Sequence, residues 1–190
     1  MKYELTTETI EVCGKTLHRI KAVNDISEIG IKKGDLGGFV ESESNLSQEG
    51  TCWVYGLARV YGSATVSGSA AVYDSATVSG IARVYNTTAI FDSAIIAGDV
   101  KVSGDVKVCG NAEVREKTDI FTVTPIGSRN DTTTFYKTKD GKIFVKCGCK
   151  NTDIDSWLKM VQETHGENKH AKVYELAAKI AKLQILGKED

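Results

Sequence analysis

The chain has 190 residues, enough to bury a hydrophobic core, and a formal net charge of −1 from 24 basic and 25 acidic residues. It has no long run of like charges, so the basic surface of a duplex nucleic-acid binder is missing. A membrane partner is not expected either, because the sequence has no long apolar stretch and no signal-like N-terminus. These features predict a cytoplasmic protein.

Residues 1–37 are predicted to form an N-terminal hairpin cap. Residues 9–12 and 16–20 alternate as strands do, and they flank the turn sequence Cys13-Gly14-Lys15. The hairpin is expected to cover the open first coil of the segment that follows, because an exposed strand edge invites end-to-end pairing.

Residues 38–115 repeat every six residues. A β-branched residue recurs at each step: Val54, Val60, Val66, Val72, Val78, Val84, Ile90, Ile96, Val102, Val108 and Val114. A small or compact residue stands two positions before each of these, and Gly, Asn or Asp stands two positions after each one except Val114. Each hexad therefore predicts one short strand and one corner, stacked on its neighbours into a continuous core.

The repeat predicts a mainly β fold, a parallel β-helix. Three hexads to a coil would give a triangular rod of roughly four coils spaced ~4.8 Å apart. A two-sided helix with two hexads to a coil is the alternative that the hexad pattern leaves open.

Residues 116–190 are predicted to form a small α+β module. Residues 119–123, 133–137 and 143–145 indicate an antiparallel sheet. A first helix follows, with Thr152 and Asp155 as a capping box and Gly166 as its end. A second helix is expected from Lys169 to Leu186. The predicted core stripes are Ile154, Trp157, Leu158 and Val161 in the first helix, and Val173, Leu176, Ala177, Ile180 and Leu183 in the second.

Two parts of the chain resemble known proteins. Residues 22–25 (AVND), 37–40 (GGFV) and 46–55 (LSQEGTCWVY) are similar to the start of YdcK-like hexapeptide-repeat proteins, often described as acyltransferases. Residues 126–131 (IGSRND), 147–149 (CGC) and 163–166 (ETHG) resemble a tail of Firmicutes phage and prophage proteins. The resemblance implies a left-handed β-helix and a phage or prophage origin.

The acyltransferase resemblance implies acyl-CoA as substrate and a histidine general base near the coils. His18, His165 and His170 all lie outside the repeats, and no inserted loop interrupts the hexads. We therefore expect a non-catalytic protein without a cofactor, and an acyl-CoA-dependent transferase remains an alternative.

The five cysteines are scattered and odd in number, so reduced thiols are expected rather than a disulfide framework. Cys147 and Cys149 with His165 and His170 are weak candidates for a metal site. Because alternate strand residues share a face, the two cysteines can equally be core, and no bound metal is expected.

A small-ligand pocket is a further hypothesis. Ser128, Arg129 and Asp131 would hold an anion or a base, and Cys149 and His165 would complete the wall, because arginine suits phosphate and carboxylate geometry. Loop capping explains Asp131 about as well.

Folding the repeat into three faces places Trp53, Tyr55, Tyr73 and Phe91 outward on one face. Such an apolar strip indicates an interface, with intramolecular stacking as the alternative. The favoured interpretation is a binding and assembly protein that forms a homodimer or trimer through this face. Its C-terminal module would then face a host protein or a small anionic ligand. A phage-encoded inhibitor of a host defence protein or signal is the second interpretation.

Overall fold

The computed structural model describes residues 1–187 and shows a mainly β protein. A β-solenoid of about four turns is preceded by a hairpin and followed by a four-stranded sheet with two helices. The hairpin and solenoid strands are β1 Tyr3–Val12, β2 Lys15–Ala22, β3 Leu36–Val40, β4 Trp53–Val54, β5 Arg59–Val60, β6 Thr65–Val66, β7 Ala71–Val72, β8 Thr77–Val78, β9 Arg83–Tyr85, β10 Ala89–Ile90, β11 Ile95–Ile96, β12 Lys101–Ser103, β13 Lys107–Val108 and β14 Glu113–Val114. The C-terminal elements are β15 Ile120–Ile126, β16 Asp131–Lys137, β17 Ile143–Cys147, β18 Lys150–Asp153, α1 Ile154–His165 and α2 Lys169–Leu186. Three short 3-10 turns lie at Ser27–Ile29, Glu43–Asn45 and Lys117–Asp119.

The solenoid has three faces. Val54 pairs in parallel with Val72, and Val72 with Ile90, so hydrogen-bonded neighbours are three hexads apart. The strands form three stacks, β3-β5-β8-β11-β14, β4-β7-β10-β13 and β6-β9-β12. The triangular prediction is confirmed and the two-sided alternative is wrong.

The β-branched positions of the repeat point into a dry core, and the Gly, Asn and Asp positions form the corners. Val78 and Ile96 are fully buried, as are the small residues that precede such positions. Asp74, Asn86 and Asp92 adopt left-handed backbone conformations that non-glycine residues rarely take. The Asp92 carboxylate offsets part of that cost, because it accepts a hydrogen bond from the Gly110 N–H of the next coil at 2.8 Å.

The predicted hairpin is confirmed and closes the free edge of one solenoid face. Strand β2 pairs antiparallel with β3, which in turn pairs in parallel with β5. The chain start covers the first coil: the Tyr3 ring meets Trp53 edge to face at 6.3 Å. The Lys2 ammonium also contacts the first coil and donates to the Cys52 carbonyl at 2.8 Å.

The C-terminal sheet covers the other end of the solenoid. Its strands run antiparallel in the order β15-β16-β17-β18, one strand more than the sequence predicts. Ala112 of the last coil forms a bridge with Thr138, and the Lys139 N–H donates to the Asn111 carbonyl at 3.1 Å. Tyr136 of β16 is fully buried in the solenoid core cluster.

Helix α1 follows its predicted stripe, since Ile154, Trp157 and Val161 are buried. Its N-terminal cap differs from the prediction, because the Asp153 carboxylate accepts the Ser156 N–H at 2.9 Å in place of a Thr152–Asp155 box. Gly166 ends the helix as predicted.

Helix α2 has the predicted bounds, but its predicted core stripe is wrong at every position except Ala177. The buried face instead carries mostly small side chains, which let the helix approach α1 and the sheet closely. This face comprises Ala171, Tyr174, Ala177, Ala178, Ala181 and Ile185. The larger aliphatic side chains of the predicted stripe point outward. Within residues 1–187, neither helix has the length and apolar character needed to cross a membrane.

Candidate functional site

A groove of about 200 Å³ opens on the C-terminal module, between the turns that end β15 and β17 and the two helices. It combines basic, hydroxyl, thiol and apolar side chains. The lining residues are Ser128, Arg129, Cys147, Lys150, Trp157, Met160, Val161, Thr164, His165 and Tyr174. The structure therefore brings together three of the five predicted ligand-binding residues, Ser128, Arg129 and His165.

The Arg129 guanidinium lies against Gly148, in the turn after β17. A Cβ on Gly148 would come within 2.5 Å of its Nη2 atom, and the left-handed φ of 56° also favours glycine there. Asp131, outside the groove, accepts from Nη2 at 2.9 Å. This pair raises the pKa of Arg129, while the Thr132 N–H and then Arg129 lower the pKa of Asp131. The ion pair thus favours one orientation of a guanidinium that is still exposed to solvent.

Tyr174 forms the inner wall. Its ring stands edge to face with Trp157 at 5.2 Å, and it packs against Gly127 so closely that a Cβ there would overlap the phenol. Burial, followed by the neighbouring Cys147, raises the pKa of Tyr174 to about 12. The phenol hydroxyl is uncharged at neutral pH and is hydrogen-bonded to the Cys147 thiol at the edge of the groove.

The two cysteines do not share a strand face. Strand β17 ends at Cys147, and Gly148 turns the chain, so Cys147 lines the groove and Cys149 is exposed outside its lining. Cys149 therefore lies outside the groove lining, and its role in ligand binding stays a prediction. Within residues 1–187, no three His, Cys, Asp or Glu side chains gather as a metal site would require. The His165 and His170 rings are 5.8 Å apart between centroids, without a third ligand.

Sequence reasoning missed Lys150, Met160 and Tyr174 as groove residues. Trp157 was expected only as core, and it is both core and groove wall. The helical stripe of α2 gave no sign that Tyr174 faces inward, because the larger aliphatic residues pointed to the opposite side.

The aromatic face contains a column of three rings in contact. Tyr55 meets Tyr73 edge to face at 6.2 Å, and Tyr73 stacks on Phe91 at 5.1 Å, each half-buried. Burial raises the pKa of Tyr55 and Tyr73. The outward placement of Trp53 is wrong, because the N-terminal strand places Tyr3 over it and leaves it fully buried.

The outward face of α2 is the largest run of exposed aliphatic side chains on one element in the described chain. Val173, Leu176, Ile180 and Leu183 are 44, 60, 52 and 47 % exposed. We call these four residues the α2 outer stripe.

The histidines lie away from the coils. His18 is on β2, where its Nδ1 lies 3.1 Å from the Thr6 carbonyl oxygen, and His165 and His170 belong to the helices. Comparison with protein-family models and with curated proteins gave no match for this chain.

Proposed function

We propose that this chain is a non-catalytic binding and assembly protein. The solenoid serves as a stiff spacer, and the C-terminal module carries the contact surface through which two copies associate. The observation that carries the proposal is the exposed α2 outer stripe on a helix that is otherwise well packed.

The spacing of the stripe fits a helix-to-helix contact between two copies. Val173, Leu176, Ile180 and Leu183 follow intervals of three, four and three residues, as the inner positions of a coiled coil do. β-Branched residues alternate with leucine in the order that favours two strands. The stripe covers about two heptads.

The area is consistent with a reversible dimer. Each of the four side chains exposes on the order of 90 Å² of apolar surface, so two copies would hide roughly 700 Å². The aliphatic stems of Lys172 and Lys179 flank the stripe and can extend the contact toward the ~1,200 Å² of small specific interfaces. We expect a dissociation constant on the order of micromolar, because association entropy offsets much of this burial.

The test replaces the two most exposed positions of the stripe. Leu176→Glu with Ile180→Lys should leave the circular dichroism spectrum unchanged, and also the thermal midpoint at low protein concentration, since both side chains face solvent in the monomer. Light scattering from about 10 to 300 μM should then show a monomer where the parent shows a dimer.

Two control variants separate the candidate surfaces. Leu57→Glu alters an exposed aliphatic residue on a solenoid corner and should keep the dimer. Tyr73→Glu disrupts the aromatic column and should also keep it. If Tyr73→Glu were the only variant that dissociates the dimer, the interface would be assigned to the aromatic face. A parent that is monomeric at 300 μM would rule out self-association, and a foreign partner, as in the inhibitor interpretation, would then be the better proposal.

A further inference from the structure

The groove around Arg129 differs in charge from two neighbouring cavities in the described part of the chain. It contains Arg129, Lys150 and His165, and none of the lining residues in the described part of the chain is acidic. The cavity beside Lys182 includes Asp153 and Asp155, and the one at the end of the solenoid includes three carboxylates. The Arg129 groove is therefore suited to an anion.

The Arg129 groove offers more neutral hydrogen-bonding groups than a carboxylate ligand needs. Ser128 and Thr164, which carry hydroxyls, line the same cavity as the three basic side chains, and Tyr174 lies behind them with its hydroxyl shared with Cys147. A phosphate monoester has three terminal oxygens and up to two negative charges, so it can use several charge-assisted hydrogen bonds at once. Asp131 engages Nη2 of Arg129 from outside, which orients the guanidinium.

The floor of the groove is apolar. Trp157 and Val161 are almost fully buried, and Met160 lies beside them on α1. Ligand sites commonly pair such apolar surface with a few polar groups that fix orientation. A volume of about 200 Å³ leaves room for one ring next to a phosphate group.

We propose that the Arg129 groove binds a phosphate monoester attached to a small planar or apolar body. This site is separate from the α2 outer stripe, because its α2 contribution is Tyr174 on the buried face. The proposal therefore does not depend on self-association.

The experiment is calorimetric titration of the full chain with phenyl phosphate, compared with benzoate, phenol and inorganic phosphate. Phenyl phosphate should bind at least tenfold more tightly than the other three, and it should change the fluorescence of Trp157 in a Trp53→Phe background. Equal binding of benzoate would make this a carboxylate site. Equal binding of inorganic phosphate would mean an adventitious anion site only, and equal binding of phenol would mean an apolar site. Each of these outcomes would overturn the proposal, and so would a lack of phenyl phosphate binding at 10 mM.

Variants locate the site. Arg129→Gln and Lys150→Gln should each weaken phenyl phosphate at least fivefold, with circular dichroism unchanged because both side chains are exposed. The matched control is Arg83→Gln, an exposed arginine on the solenoid strand β9 that should bind like the parent. If both groove variants bind as the parent does, the ligand sits elsewhere and the proposal is wrong.

Discussion

Buried polar side chains stabilise the places where the repeat is imperfect. Asn45 is fully buried in the first coil, and its amide donates to the Gly62 and Ala64 carbonyls of the next coil, both at 2.9 Å. Thr88 replaces alanine inside the core and donates to the Tyr85 carbonyl at 2.8 Å. Each is tolerated because its hydrogen-bonding groups find backbone partners.

Lys2 is the most demanding of these residues, since its ammonium is buried. It lies near the carbonyls of Glu49, Gly50 and Cys52, at 3.3, 3.4 and 2.8 Å. Lys2→Met keeps the aliphatic stem but leaves these carbonyls without their donor, so we expect a loss of about 2–3 kcal/mol in the free energy of unfolding.

Urea denaturation measures the Lys2→Met effect. The control is Lys21→Met, which removes only the surface ion pair with Glu4 and should cost less than about 0.5 kcal/mol. Equal effects of the two substitutions would mean that the Lys2 ammonium is not part of the first coil.

At the scale of elements, the two faces of α2 should respond oppositely to added or removed bulk. Ala181 is fully buried, so Ala181→Leu should overpack the helix against the module and cost about 1–3 kcal/mol. Leu176→Ala on the outer stripe should change the stability of the monomer by less than about 0.5 kcal/mol.

Thermal unfolding at low protein concentration gives both values for α2 without a contribution from self-association. A neutral Ala181→Leu and a destabilising Leu176→Ala would reverse the assignment of the two faces.

The same helix shows how far the sequence predicts the elements and their packing. The bounds of α2 follow from Asn168 and Gly187 at its ends, which are local signals. Which face of α2 points inward does not follow from its sequence, because the helix carries both an aliphatic stripe and an alanine stripe. Only the shape of the sheet and of α1 selects between the two. Trp53 illustrates the same limit, since local alternation could not show that Tyr3 would cover it.

The groove was predicted only in part for a similar reason. The sequence identifies Ser128, Arg129 and His165 as polar residues near turns. That Cys147 lines the groove and Cys149 does not depends on where β17 ends, which the sequence pattern does not show. The left-handed sense of the coil stays a prediction.

At the scale of the whole molecule, the inward register of the repeat makes a strong prediction. Val78 is fully buried at the middle of a core about one residue wide. Val78→Asp would place an unpaired carboxylate there, which costs several kcal/mol or more, so the chain should not fold.

The adjacent strand position supplies the control for Val78→Asp. Thr77→Asp places the same carboxylate on the outer side of the same strand and should give a soluble, cooperatively melting protein. A Val78→Asp protein that also melts cooperatively would contradict the inward register.

Both ends of the solenoid are covered by other elements, so the number of coils could change without a change in those elements. The hairpin and Lys2 cover the first coil, and Tyr136 with the C-terminal sheet covers the last, whereas each inner coil contacts only its neighbours. An evolutionary duplication of three hexads would thus add one coil and separate the two ends by a further ~4.8 Å, with neither end remodelled. The number of coils therefore sets the distance between the N-terminal hairpin and the groove, in steps of one coil.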